Sequence, residues 1–271
     1  MMPHRLIRDI DIWFERAGNG APLLAISGSR GDLRRKPNLL ESPLAGSFEV
    51  LAYDQRGLGR TSKPDKPYRM ADFADDAAAL LDAVGWERVR VVGVSFGGMV
   101  ALELVLRHPH RVDKIALCCT SPGGEGGSSY PNHLLQKVPA NERARVMVSV
   151  SDTRCDERWA EANPEKFEEL IRWFDDDQFV EEPGHRAGTA RLLEARRQHD
   201  TWERLPQISC PVLICGGRYD GIAVPSSQVR MAGRIPGATL RMFEGGHLFL
   251  WQDTSAFAEI AVFLANVDDP I

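Results

Sequence analysis

The stretch Gly93–Val94–Ser95–Phe96–Gly97 constrains this chain more than any other. The run before the serine, Val89–Val94, is short and apolar, and the run after it, Phe96–Arg107, is apolar almost all round. A buried strand leading at once into a buried helix leaves Ser95 on a tight turn between them. In such a G-x-S-x-G turn the nucleophile sits in a strained backbone conformation. Side chains two residues to either side would collide, so both places take glycine. The turn lifts the hydroxyl above the sheet edge and sets the Phe96 amide at a helix N-terminus, where developing negative charge is favoured. A glycine-rich dinucleotide loop is the other reading, but Gly93, Gly97 and Gly98 lack the G-x-G-x-x-G spacing.

The rest of the chain places that turn in an α/β architecture. Arg5–Arg8 and Ile10–Ala17 alternate polar and apolar residues, as a half-exposed antiparallel edge does. Leu23–Ile26, Val50–Tyr53, Val89–Val94, Ile115–Cys119 and Val212–Cys215 are short apolar runs suited to strands buried on both faces; Leu240–Phe243 is a mixed candidate. Between them, Met70–Val84 (closed by Gly85), Phe96–Arg107, Ser226–Arg234 and Ser255–Asn266 have helical spacing. The pattern predicts a mostly parallel, doubly wound sheet with antiparallel N-terminal strands.

One segment interrupts it. From Glu125 to Leu205 the chain carries 12 Lys/Arg and 17 Asp/Glu, which is the whole net charge of −5. A glycine-rich entry, Ser121–Gly127, and the prolines Pro206 and Pro211 frame it. Asn141–Val150, Asp156–Asp175 and Pro183–Arg197 read as helices. The apolar content is thin for an independent domain, so residues 125–205 are expected to form a helical lid on a core made of 1–124 and 206–271.

A serine hydroxyl near neutral pH needs a base, and in chains with this turn the order is serine, acid, histidine. His4, His108, His110, His133, His185 and His199 lie near the N-terminus, at a helix end or in the lid. Only His247 follows the late run Leu240–Phe243, on the flexible loop Glu244–Gly245–Gly246. The acid belongs after Val212–Cys215, where Gly216–Gly217–Arg218–Tyr219–Asp220 makes Asp220 the choice over Glu125 and Glu244. A second oxyanion donor is expected from Ser27–Gly28–Ser29–Arg30–Gly31, with the Ser29 amide donating and Gly28 allowing close approach. Arg30, Arg34, Arg35 and Lys36 read first as a solvated face, and alternatively Arg30 pairs with a substrate carboxylate. Asp54 and Arg56 read as loop braces.

Composition narrows the function classes. A sequence pI near 5.8 without a concentrated positive face speaks against nucleic-acid partners. No apolar run has the length of a membrane span or a signal peptide, so the expected compartment is the cytoplasm. The cysteines, Cys118, Cys119, Cys155, Cys210 and Cys215, read as structural thiols. The chemistry calls for no metal or organic cofactor, and the sequence leaves the oligomeric state open.

With those residues placed, the chain resembles the α/β-hydrolase superfamily. Within it, the chain is most similar to the lidded group of 3-oxoadipate enol-lactonases, cofactor-free haloperoxidase-type esterases and carbon–carbon bond hydrolases. The matching blocks are Tyr53–Pro64 (YDQRGLGRTSKP), Val91–Val112, Pro211–Pro225 (PVLICGGRYDGIAVP) and Gly245–Leu264. The resemblance implies catalytic roles for Ser95, Asp220 and His247. The group usually carries His-Gly where this chain has Ser27–Gly28, so its oxyanion loop needs another brace. A serine at the elbow, not an aspartate, speaks against dehalogenation and epoxide opening. The expected reaction is acyl transfer from a small ester or lactone to water. Its rivals are carbon–carbon cleavage of a dioxo acid, whose enzymes tend to place Trp where Leu248 stands, and a non-catalytic ligand-binding role. Trp251 is expected to pack against the last helix.

Overall fold

The structure, a computed structural model, describes residues 3–266. Its strands are β1 (His4–Ile7), β2 (Ile10–Ala17), β3 (Ala21–Ile26), β4 (Phe48–Tyr53), β5 (Val89–Val94), β6 (Val112–Cys118), β7 (Val212–Gly217) and β8 (Thr239–Phe243). They form one sheet in the order β1-β2-β4-β3-β5-β6-β7-β8. β1 and β2 pair antiparallel, as do β2 and β4, while β3 to β8 run parallel. The expected α/β sheet is therefore present. Leu240–Phe243 reads as mixed because β8 is an edge strand with only Phe243 buried.

The helices are α1 (Met70–Val84), α2 (Phe96–Arg107), α3 (Ala140–Ser151), α4 (Glu157–Ala162), α5 (Pro164–Asp175), α6 (His185–Arg197), α7 (Pro225–Arg234), α8 (Phe249–Gln252) and α9 (Ala256–Ala265). Alternate strand residues feed two cores, one on each face. Leu24, Ile26, Val91 and Ile115 pack with Phe73, Leu80, Val100 and Met231 from α1, α2 and α7. Leu23, Ala25, Val92 and Ala116 pack with Phe257, Ile260 and Leu264 from α9. After β3 the chain turns to one side to form β4, and later returns to lay β5 on the other side of β3. That reversal opens a crevice at the C-terminal ends of β3 and β5, the place where open α/β sheets hold ligands.

Helices α3 to α6 all lie between β6 and β7, with a small apolar cluster of their own around Ala144, Val148 and Ile171. The single helix expected over Asp156–Asp175 is two helices. Pro164 starts α5, and its ring pushes Asn163 to φ −135°, ψ 55°, outside helical geometry. The basic run is also not a bare solvated face. Arg34 donates to Glu182 at 2.6 Å and to Asp32 at 2.7 Å, and Arg35 donates to Asp177 at 3.1 Å. The acidic β6–β7 segment thus meets its countercharge on the core. Trp251 packs edge-on against Phe257, as expected, with ring centres 5.0 Å apart. Among the described residues, no helix is long and apolar enough to cross a membrane.

Asp54 and Arg56 are braces, as read from the sequence. Asp54 accepts the Leu33 and Arg60 amides at 2.7 and 2.8 Å. Arg56 forms a two-pronged pair with Asp76, at 2.6 and 2.8 Å, tying the loop after β4 to α1. Its side chain is 1% exposed and that of Asp76 2%, and Asp76 also accepts from Arg8 at 2.7 Å, so removing Arg56 leaves the buried carboxylate with one of its two cations. Arg56→Leu is expected to cost about 2–3 kcal/mol of unfolding free energy, read from the midpoint of urea denaturation at unchanged slope.

Candidate active site

Ser95 sits between β5 and α2 at φ 55°, ψ −117°, on the positive-φ side that few non-glycine residues occupy. Its amide donates to the Cys118 carbonyl at 2.8 Å. The glycines around it are required by contact. A methyl group on Gly93 would stand 2.5 Å from the Gly97 carbonyl oxygen, and one on Gly97 would stand 2.5 Å from that of Ser27 and closer still to that of Ile26. Gly98 lies against the Thr120 side chain. Three stretches of main chain therefore converge at the elbow, and Ser95 is left half-buried.

The chosen acid and base meet it. With its ring proton on Nδ1, His247 donates to Asp220 Oδ2 at 2.8 Å, and Nε2 accepts the Ser95 hydroxyl at 2.9 Å. The Asp220 side chain is fully buried, and its other oxygen accepts the Ile222 and Ala223 amides at 2.8 and 2.9 Å. Those bonds hold the carboxylate plane in register with the imidazole. The loops of the two residues are themselves bonded, with the Tyr219 amide donating to the Gly245 carbonyl at 3.0 Å. The rivals Glu125 and Glu244 are absent from the relay, and Glu244 instead meets Arg154 at 3.4 Å.

The loop after β3 lies beside Ser95. A methyl group on Gly28 would come within 3.4 Å of Ser95 Cβ and 3.9 Å of its Oγ. Gly31 closes the turn by donating to the Gly28 carbonyl at 2.9 Å. The brace that a histidine would supply comes from Gln55, whose amide donates to the Ser27 carbonyl at 2.8 Å from a buried position. Among the described residues, the Ser29 and Phe96 amides carry no hydrogen bond outside the helix ladder. Arg30 points elsewhere. Its guanidinium donates to the carbonyls of Phe174 and Asp176 at 2.8 and 2.7 Å, fastening α5 to this loop, so a substrate carboxylate would have to displace those bonds.

Two further features escaped sequence reasoning. The last carbonyls of a helix lack partners within it. At the end of α3, Val150 accepts the Gly221 amide at 3.0 Å and Ser151 accepts the His247 amide at 2.6 Å, so the segment is stitched into both the acid and the histidine loops. Gln252 accepts the Gly246 amide at 2.8 Å and donates to Asp152 at 3.1 Å, closing the same ring of bonds. No spacing rule points to either glutamine, because Gln55 acts on a main chain 28 residues away and Gln252 ties the nearby Gly246 to Asp152, 100 residues away. Cys119, at the end of β6, is buried, which pushes its thiol well above the usual range and leaves it a neutral neighbour. Among the described residues, no group of three or more His, Cys, Asp or Glu could hold a metal ion.

Comparison with known proteins agrees with this architecture. The family described as the alpha/beta hydrolase fold matches residues 28–254. A putative carbamate hydrolase, RutD, of Azorhizobium caulinodans is 27% identical over 278 residues, covering 98% of this chain and 100% of its own. A 2-hydroxymuconate semialdehyde hydrolase of Pseudomonas sp. strain CF600 is 38% identical over 271 residues, covering 93% of this chain and 89% of its own. The crystal structure of an enol-lactonase from Burkholderia xenovorans LB400 shares the fold, with a TM-score of 0.79 at 23% identity, covering 97% of this chain and 100% of that one.

The packing at the elbow generates a stability test. Gly97→Ala drives a methyl group into two main-chain carbonyls that cannot retreat without moving β3. It is expected to cost about 3 kcal/mol, at the upper end of overpacking effects, read as a fall in thermal unfolding temperature.

Proposed function

The chain belongs to the α/β-hydrolase family, and from that premise we propose that it is a serine hydrolase transferring the acyl group of a small carboxylic ester or lactone to water through Ser95. The observation that carries this reading is the continuous relay from Asp220 through His247 to the Ser95 hydroxyl, at 2.8 and 2.9 Å. Ser95 Oγ attacks the carbonyl carbon as its proton passes to His247 Nε2, and Asp220 stabilises the imidazolium that forms. The tetrahedral oxyanion is received by the amides of Ser29 and Phe96. His247 then gives the proton to the departing alkoxide, which for a lactone stays tethered to the acyl group. It next takes a proton from water as the acyl-enzyme is hydrolysed. No step calls for a metal or organic cofactor.

Residues 125–205 act as a lid over this chemistry. The bonds from Val150 and Ser151 to the Asp220 and His247 loops support that role, as does the hold of Arg30 on Phe174 and Asp176. Moving the segment moves both loops. A second reading is carbon–carbon cleavage of a dioxo acid by the same relay. It is favoured by the 38% identity to a hydrolase named for 2-hydroxymuconate semialdehyde. Leu248, directly after His247, weighs against it.

A fluorophosphonate probe is expected to label the folded protein on Ser95 and to spare Ser95→Ala. On a panel of p-nitrophenyl esters and lactones of varied acyl length, Ser95→Ala and Asp220→Asn should each lower kcat by on the order of 10⁴-fold with folding intact. Turnover of a ring-fission dioxo acid with the esters untouched would select the second reading. Failure of the probe to label intact protein would remove both and leave a ligand-binding role.

A further inference from the structure

Away from the relay, a cavity of about 170 Å³ is lined by Met99, Ser121, His133, Arg196, Arg197 and His199, among others. Neither Ser95 nor His247 lines it. Met99 lies four residues beyond Ser95 on α2, and Ser121 three residues beyond Cys118, the carbonyl that receives the Ser95 amide. The far wall is the last turn of α6 and the return stretch behind it. It is fixed by the Gly123–Asp200 bridge and by the Thr201 amide on the Pro122 carbonyl at 2.8 Å.

Among the residues lining this cavity, Arg196 Nε, the Ser121 hydroxyl and both His199 nitrogens lack a protein partner. Arg196 is 6% exposed. It donates to the Tyr130 carbonyl at 2.9 Å and to Ser129 Oγ at 2.7 Å, while its Nε has no partner. Among the described residues, no carboxylate pairs with it. Burial alone draws its pKa down, to about 10, so it remains a cation at neutral pH. Ser121 is fully buried with an unpartnered hydroxyl. His199 is buried too, with the Ser121 main chain close to its ring, and neither ring nitrogen has a hydrogen-bond partner that meets distance and angle limits. The charges His199 feels are Arg204 and Arg196, both positive, and with burial they hold it neutral, at about 3. The neighbouring cations are already spoken for, Arg197 by Glu194 at 2.6 Å and Arg204 by Glu103 at 2.5 and 3.0 Å. Arg196 is therefore a buried guanidinium without a countercharge, next to a hydroxyl and an imidazole with open donors. A buried charge in that state is unfavourable, and a polar but neutral partner satisfies its hydrogen bonds without offsetting its charge.

We propose that this cavity binds a small anion, a carboxylate or phosphate group, held by the Arg196 guanidinium with the Ser121 hydroxyl and the His199 N–H as further donors. A planar guanidinium offers such groups directed donors, and the cavity has the size for one of them. The site is independent of the chemistry at Ser95.

The test is thermal unfolding and calorimetric titration of the full chain with inorganic phosphate, with malonate, and with chloride as control, at constant ionic strength. The expected result is a saturable rise in Tm of about 5 °C with phosphate or with malonate, and not with chloride. Response to one of the two identifies the group as phosphate or carboxylate. Ser95→Ala should keep the response, Arg196→Met should lose it, and Ser121→Ala should weaken the Kd about tenfold. Because Arg196 also holds Tyr130 and Ser129, Ser121→Ala decides the matter if Arg196→Met does not fold. The proposal is overturned if neither anion binds saturably, if the response is unchanged in Arg196→Met or Ser121→Ala, or if it disappears in Ser95→Ala.

Discussion

The backbone at Ser95 is held at φ 55° by its neighbours, and the rest of the C-terminal edge of the sheet is arranged around that constraint. A non-glycine residue keeps such a conformation only where surrounding structure over-determines it. Here β5 and α2 meet so closely that Gly93 touches Gly97, Gly97 touches the end of β3, and Gly98 touches Thr120 past β6. The contact between Gly97 and the carbonyls of Ile26 and Ser27 brings the loop after β3 to Ser95. It does so at the point where the strand order reverses. Strain at one residue, close packing at two glycines and the crevice of the sheet are thus one feature seen at three scales.

A second layer of main-chain bonds holds the partners of that serine. Asp220 and His247 come from loops that follow neighbouring strands, β7 and β8, and those loops bond to each other before either reaches Ser95. The end of α3 then bonds to both. The helical segment between β6 and β7 is consequently not laid loosely across the core. It shares hydrogen bonds with the relay on one side, and on the other its acidic stretch Asp176–Glu182 is gripped by Arg30, Arg34 and Arg35. Under the proposed mechanism, opening this segment uncovers the crevice and disturbs the imidazole in a single motion.

The same segment also carries Arg196 and His199, which the proposed chemistry at Ser95 does not use. Uncompensated charge in a buried place marks where a fold tolerates a cost for something it binds, and this is the clearest such place outside the relay.

Local pattern alone determined the sheet, the two flanking helical layers and the elbow, while Asp220 and His247 were chosen by the chain order expected after such an elbow. The sheet, the layers and the elbow each rest on a short-range rule, such as apolar runs of strand length, helical spacing, or glycines flanking a strained residue. The split at Pro164 was legible in the same terms, since the residue before proline avoids helical geometry. Tertiary structure alone decided which groups meet across long sequence separations. Gln55 came to brace Ser27 in place of a histidine, Gln252 and Ser151 came to hold the His247 loop, and Arg30 turned to the carbonyls of α5. These are side chains and main-chain atoms joined by directional bonds at about 3 Å. A one-dimensional pattern records what a residue can donate or accept. Only the packed fold brings a particular partner to that distance.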